Sequence, residues 1–190
     1  MNVSQEEQID SSTWDPDAQK FDLLYSQDKI DRKIRQMGQQ ISYDYKDKEL
    51  LLIGVLKGCV VFMADLMRTI SIPLEIDFIT ATSYSNGLKR DDKIVFAGGP
   101  EATIKGKHIL IVEGIVDTGQ TVEALINRLK NQEPASIEIV TLLDKPISRK
   151  TEIKIRYKGF DAGKDFVIGY GLDISQKFRN LPFIGKVINE

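Results

Sequence analysis

The chain has little of several things, and each shortage narrows its chemistry. It holds one cysteine, Cys59, so no internal disulfide framework exists and a reducing compartment, the cytoplasm, is expected. It holds one histidine, His108, which leaves no histidine metal cluster and no Ser-His-Asp relay. There is no surplus of positive charge: 26 Lys and Arg stand against 28 Asp and Glu, a net charge of -2. That is no footprint for nucleic acid or an anionic membrane. No apolar run reaches the ~20 residues a membrane span needs. Residues 1–20 lack an apolar leader segment and any clear period, so a flexible extension is expected there. The dinucleotide fingerprint G-x-G-x-x-G is also missing.

What remains is a soluble composition, 42% hydrophobic and 28% charged over 190 residues, enough for one domain with a real core. Phe21 to Tyr25 reads as a short edge strand. Ile30, Ile34, Met37 and Ile41 then recur at helical spacing, with Asp28 as a candidate N-cap. Leu50 to Leu56 is a continuous apolar run, as in a strand covered on both faces. Lys57-Gly58 breaks it, and Val60 to Met67 reads as a helix. Glu75 to Tyr84 reads as a strand, and residues 85–103 as a mobile flap or hairpin. Ile137 to Leu143 is another buried strand, Ile153, Ile155 and Tyr157 alternate with charges, and Phe166 to Tyr170 is a last apolar run. Strands alternating with helices imply an α/β fold with a central, twisted, mostly parallel sheet flanked by helices. Ligands then sit beyond the carboxyl ends of the strands. Lys57, Asp117, Lys145 and Asp173 each follow an apolar run, so they are candidates for one cleft.

The stretch Ile109 to Thr121 organises the rest. An apolar run ends in Glu113, a small-residue loop carries Asp117, Thr118 and Gly119, and apolar residues at 122, 125, 126 and 129 follow at helical spacing. A helix opening from a Gly/Thr loop offers free N–H groups and the positive end of its dipole to a phosphate. Gly114 to Thr121 matches a nucleoside-triphosphate loop except that Gln120 replaces the phosphate-binding lysine. A monophosphate suits it better, held by Thr118, Thr121 and the loop N–H groups, with Asp117 reaching past it. Asp117 as a plain helix N-cap is the competing reading.

Ile109 to Thr121 resembles the phosphoribosyl-diphosphate motif of the type I phosphoribosyltransferases. Further stretches resemble the bacterial hypoxanthine-guanine phosphoribosyltransferases in order and at sensible spacing. They are Gly54-Val-Leu-Lys-Gly58, Val61-Phe-Met-Ala-Asp65, Ser83-Tyr84, Leu143-Asp-Lys-Pro146, Phe166-Val-Ile-Gly-Tyr-Gly-Leu-Asp173 and Phe178-Arg-Asn-Leu-Pro182. The resemblance implies one phosphoribosyltransferase domain over residues 21–190, with a small hood from the N- and C-terminal segments and a mobile flap. It implies joining a 6-oxopurine, hypoxanthine or guanine, to the ribose 5-phosphate of phosphoribosyl diphosphate, releasing diphosphate, with Mg²⁺. It implies a homodimer or homotetramer.

By the same resemblance Asp117 is the general base. Glu113, Gly114, Thr118, Gly119, Gln120 and Thr121 line the sugar and its 5-phosphate. Lys57, Gly58 and Arg179 hold the diphosphate. Lys145 donates to the purine oxo group, Phe166 stacks on the base, Val167 supplies backbone contacts, and Asp173 closes the purine side. Glu113 and Asp173 face the metal. Ser83 and Tyr84 open the flap. The family often has a cis peptide at the Leu-Lys bond before Gly58. Standing alone, Lys57 and Arg179 read as surface charges, Phe166 as core, Asp173 as a turn residue, Cys59 as buried packing and His108 as surface.

One position departs from the family. The motif usually has two adjacent acids where this chain has Glu113-Gly114. Losing one contact to a ribose hydroxyl costs on the order of 1.5–3 kcal/mol. Three readings follow: an active enzyme that binds phosphoribosyl diphosphate less tightly, a purine-nucleotide-binding regulator, or a structural partner with a vestigial site. On the first, Gly114→Asp is expected to tighten that substrate.

Overall fold

The computed structural model describes residues 21–84, 93–100 and 103–188. The expected N-terminal extension and the tip of the flap lie outside the described residues. A six-stranded sheet forms the body, in the order β4-β3-β2-β5-β6-β7. Its strands are β2 (Leu50–Leu56), β3 (Leu74–Tyr84), β4 (Lys93–Gly98), β5 (His108–Val116), β6 (Ser136–Asp144) and β7 (Tyr157–Asp161). All neighbours pair in parallel except β3 with β4. β3 and β4 pair antiparallel at the sheet edge, and residues 85–92 of the expected flap lie outside the described residues.

Side-chain alternation explains the layers. On β2, Leu50 and Leu52 join one buried cluster while Leu51, Ile53 and Val55 join the other. A strand apolar on both faces must be covered on both. Helices α1 (Gln27–Asp44) and α2 (Val60–Thr69) cover the first face. Helix α3 (Gln120–Lys130) covers the second through Val122, Leu125 and Leu129. Burying each of these large side chains contributes roughly 1.5–3 kcal/mol.

A second sheet, β1-β9-β8, forms the hood from β1 (Phe21–Tyr25), β8 (Val167–Ile168) and β9 (Ile184–Val187). Its own core holds Ile168, Leu181, Phe183 and Val187, with Phe21 packed against Phe183 at 5.6 Å between ring centres. Val167, Tyr170, Leu172 and Ile184 of the hood belong to the main cluster on the α1/α2 face. The Tyr170 hydroxyl donates to Asp65 of α2, and Tyr25 donates to the Asp161 carbonyl at 2.6 Å. These contacts seat the hood over one side of the sheet.

Four local expectations need correction. The N-cap of α1 is Ser26, and Asp28 sits in the first turn, where a carboxylate still favours the helix dipole. Ile153 and Ile155 alternate like a strand but make no ladder; they pack against the α3-side core, and β7 begins only at Tyr157. The apolar run at 166–170 leaves only a two-residue strand, and it pairs in the hood rather than in the parallel sheet. His108 is half-buried rather than surface, with Nδ1 2.8 Å from Ser136 Oγ and its ring edge-on to Tyr45.

Candidate active site

The sheet changes direction between β2 and β5: the chain runs outward from β2 to β3 on one side and from β5 to β6 on the other. Such a switch point is where open α/β sheets bind ligands. Lys57 and Gly58 follow β2 directly, and β5 carries Glu113 and Gly114 toward the same end. On the next pair, Val116 lies opposite Asp144, and the Lys145 N–H donates to the Val116 carbonyl at 2.9 Å. Asp117 and Lys145 are therefore the next residues out on adjacent parallel strands. The ladder itself sets them side by side.

The loop after β5 is shorter than its sequence suggests. The strand continues through Gly114, Ile115 and Val116, so Glu113 and Gly114 are strand residues. Gly119, in the left-handed region at φ 85, is the N-cap of α3. Asp117 thus does not cap the helix; it stands exposed, with its carboxylate free of any hydrogen bond among the described residues. The loop is held from behind. The Lys150 N–H donates to the Thr118 carbonyl at 2.9 Å, and Thr151 Oγ1 donates to the same oxygen at 3.4 Å. A Cβ on Gly119 would collide with Thr151 Oγ1. Thr118 Oγ1 accepts from the Gln120 N–H at 3.4 Å, and Thr121 falls in the first turn of α3. The loop thus leads into the N-terminus of α3, where backbone N–H groups and the helix dipole suit an anion.

Lys145 is only 9% exposed and has no ion pair or hydrogen bond from its ammonium among the described residues. Its stem is buried while the ammonium reaches water, since it is not among the buried side-chain atoms left without a partner. Its neighbour Asp144 is engaged elsewhere: Arg149 donates to that carboxylate and Lys158 stands 3.7 Å away. Phe166 is 54% exposed, against the core position its type predicts. Val167 beside it is buried and pairs with Lys186.

The opposite flank is cationic. Lys57 is exposed, and the Leu56-Lys57 peptide is cis, as the resemblance implies. Arg179 donates to the Gly171 carbonyl at 2.7 Å and pairs with Asp173 at 2.7 Å. One residue that sequence reasoning missed links these groups. Gln176 Oε1 accepts from Arg179 at 3.1 Å and from Lys57 Nζ at 3.3 Å, and its N–H donates to Asp173 at 2.8 Å. Sequence gave a faint signal only, its place between Asp173 and Arg179. Ser83 and Tyr84 end β3 opposite Ile94 and Lys93, at the base of the flap.

Electrostatics separates the acids. Burial pushes the Glu113 carboxyl up to about 8, offset in part by the Gly114 N–H. Burial also pushes the Cys59 thiol up to about 12, with the Glu113 carboxylate adding to it, so Cys59 is inert packing and no nucleophile. No cluster of three or more metal-ligating side chains occurs among the described residues. A surface groove between α3 and the start of β6 contains none of these residues.

A mostly parallel sheet with an acid and an ammonium at adjacent strand ends, neither paired among the described residues, beside a helix N-terminus defines an α/β class that binds its ligand at the strand ends. The model of the phosphoribosyl transferase domain matches residues 22–175, and the chain belongs to that family. Hypoxanthine phosphoribosyltransferase of Haemophilus influenzae is 42% identical over 172 residues, covering 89% of this chain and 96% of the relative. Hypoxanthine-guanine phosphoribosyltransferase of Bacillus subtilis is 40% identical over 163 residues, covering 86% and 91%. A crystal structure of a hypoxanthine-guanine phosphoribosyltransferase from Bacillus anthracis superposes with a TM-score of 0.85 at 38% identity, covering 90% of this chain and 100% of that one.

Proposed function

We propose that the protein is a purine-salvage transferase: it moves the 5-phosphoribosyl group from phosphoribosyl diphosphate to hypoxanthine or guanine, giving IMP or GMP and diphosphate. The observation that carries this reading is the placement of Asp117 and Lys145 one residue beyond the Val116–Asp144 pair that ends the β5/β6 ladder. An acceptor and a donor at neighbouring strand ends suit opposite needs of one purine. The Asp117 carboxylate takes the proton from one nitrogen of the five-membered ring as the other forms its bond to the sugar. The Lys145 ammonium donates to the oxo group, and an amine at that place would meet a donor with no acceptor, which excludes adenine. Phe166 offers its exposed face for stacking.

The sugar's 5-phosphate fits the loop from Thr118 to Thr121, where the helix dipole and N–H groups converge. The bond to diphosphate breaks as charge builds on the sugar, so fixed electrostatics governs the rate. Glu113 faces the sugar hydroxyls; Lys57, Gly58 and Arg179 receive the departing diphosphate, where the planar Arg fork suits its oxygens. The flap beginning at Ser83 and Tyr84 excludes water.

Mg²⁺ fits this donor set. Two dispersed carboxylates, Glu113 and Asp173, suit an ion held mainly by substrate oxygens rather than by a protein cage. When bound it supplies charge neutralisation of the diphosphate. We read residues 21–190 as one domain and the chain as a cytoplasmic homodimer or homotetramer. The exposed apolar side chains of Val60 (41%) and Ile76 (44%) support association, and sedimentation analysis checks it.

A purine-nucleotide-binding regulator is not favoured, because relatives about 40% identical over most of the chain are named hypoxanthine or hypoxanthine-guanine phosphoribosyltransferases. The test is a spectrophotometric assay with Mg²⁺, phosphoribosyl diphosphate and hypoxanthine or guanine. Turnover saturable in both substrates is expected. No turnover above blank, together with tight calorimetric binding of GMP, would overturn the enzyme reading.

A further inference from the structure

The departure at position 114 has a steric side that the loss of an acid hides. A Cβ placed on Gly114 would stand 2.5 Å from the Gly58 carbonyl oxygen, 3.0 Å from its carbonyl carbon and 3.3 Å from Leu172 Cδ2. A Cβ on Gly171 would stand 2.5 Å from the same Gly58 oxygen. Side-chain carbons essentially never approach a backbone oxygen so closely. The Gly58 carbonyl therefore lies in a slot with a side-chain-free residue on each wall.

The two glycines differ in why they are glycine. Gly171 has φ 96, so its conformation alone selects against a side chain. Gly114 lies in β5 outside the positive-φ set, where any residue fits the backbone. Glycine inside a strand weakens it, and its usual reason is a close approach of another backbone. Here that backbone is the turn carrying Lys57.

We infer that Gly114 is a positioning residue for the diphosphate-binding turn: with Gly171 it seats the Gly58 carbonyl against β5. The inference rests on the proposed transfer reaction. It reverses the expectation for the missing acid. The family usually has an acid here, but in this chain the Gly58 carbonyl fills the space its Cβ would take, so an aspartate at 114 must first shift the Lys57–Gly58 turn. The turn touches the diphosphate end of the substrate and not the purine, so the defect belongs to one substrate only.

The experiment compares full-length wild type, Gly114→Ala and Gly114→Asp. Gly114→Ala adds volume without charge, and Gly114→Asp adds both. The expected result is a rise of about tenfold or more in KM for phosphoribosyl diphosphate in both variants, with KM for hypoxanthine within about twofold. A general loss of folding lowers kcat and leaves that split absent. Calorimetric binding of inorganic diphosphate gives a second reading, in which partial unfolding lowers the stoichiometry and leaves the Kd of the folded fraction intact. Weaker diphosphate binding in both variants is expected. An unchanged KM and an unchanged Kd in Gly114→Ala overturn the inference, and so does a lowered KM in Gly114→Asp. If the wild type itself shows no turnover, the transfer reading fails, while the diphosphate titration still decides whether Gly114 seats the turn.

Discussion

The two flanks of the crevice are built on different principles. On one, the Asp117–Thr121 loop and Lys145 are placed by strand register, by a backbone bond from Lys145 to Val116 and by the strap through Lys150 and Thr151. On the other, Lys57, Asp173 and Arg179 are placed by side chains holding side chains, with Gln176 at the centre, and by a tight glycine contact. On the proposed reaction, backbone placement fixes the base and the phosphate loop, while side-chain placement leaves a cationic surface that re-forms as diphosphate enters and leaves. Arg179 and Asp173 satisfy each other, so on the proposed reaction diphosphate exchanges that pair for contacts of its own.

The contrast can be broken or sharpened by substitution, starting with the fixed flank. Asp117→Asn should lower kcat by about two to four decades while leaving GMP affinity within a few-fold, since the amide keeps the shape and loses the base. Stopped-flow turnover beside calorimetry with GMP checks both. Next, Lys145→Met should weaken hypoxanthine by about 1.5–3 kcal/mol, the worth of a charged hydrogen bond, read as a rise in its KM. A KM unchanged in that variant would mean that Lys145 does not meet the purine.

Glu113 gives a pH-dependent prediction. Its carboxyl is raised to about 8 in the folded chain, so the stability it contributes is full below the ordinary Glu value near 4.5 and is lost as pH rises through about 8. Glu113→Gln should therefore match wild type near pH 4 and melt higher than wild type at pH 9, while binding phosphoribosyl diphosphate less well. A difference independent of pH would contradict the burial argument. The smallest effect belongs to the adaptable flank. Gln176→Ala removes the amide between two cations and should raise KM for phosphoribosyl diphosphate only a few-fold, as expected for exposed contacts.

The same contrast governs what the sequence revealed. The apolar run Leu50–Leu56 became β2 residue for residue, and the spacing of Ile30, Ile34, Met37 and Ile41 became the buried face of α1. Those patterns are local consequences of burial. Lys145 and Asp117 were legible as residues following buried strands, though only the ladder sets them side by side. The end of β5 was misread at Glu113, because an acid and a glycine look like a loop; their place in the strand depends on pairing with β6. Gln176 carried almost no signal, since its role arises from contacts across the fold with Lys57. The crowding at Gly114 was equally hidden. Sequence shows a missing carboxylate there, and only the approach of Gly58 shows why a side chain does not fit.

The central claim is that Asp117 and Lys145 address one purine from adjacent strand ends. A crystal structure of the GMP complex tests it most directly. The account predicts the Asp117 carboxylate within hydrogen-bond reach of the five-membered ring's free nitrogen and Lys145 Nζ on the oxo group, with Phe166 against the ring. A purine seated away from this strand pair, or turned so that Lys145 faces its amine, would contradict it.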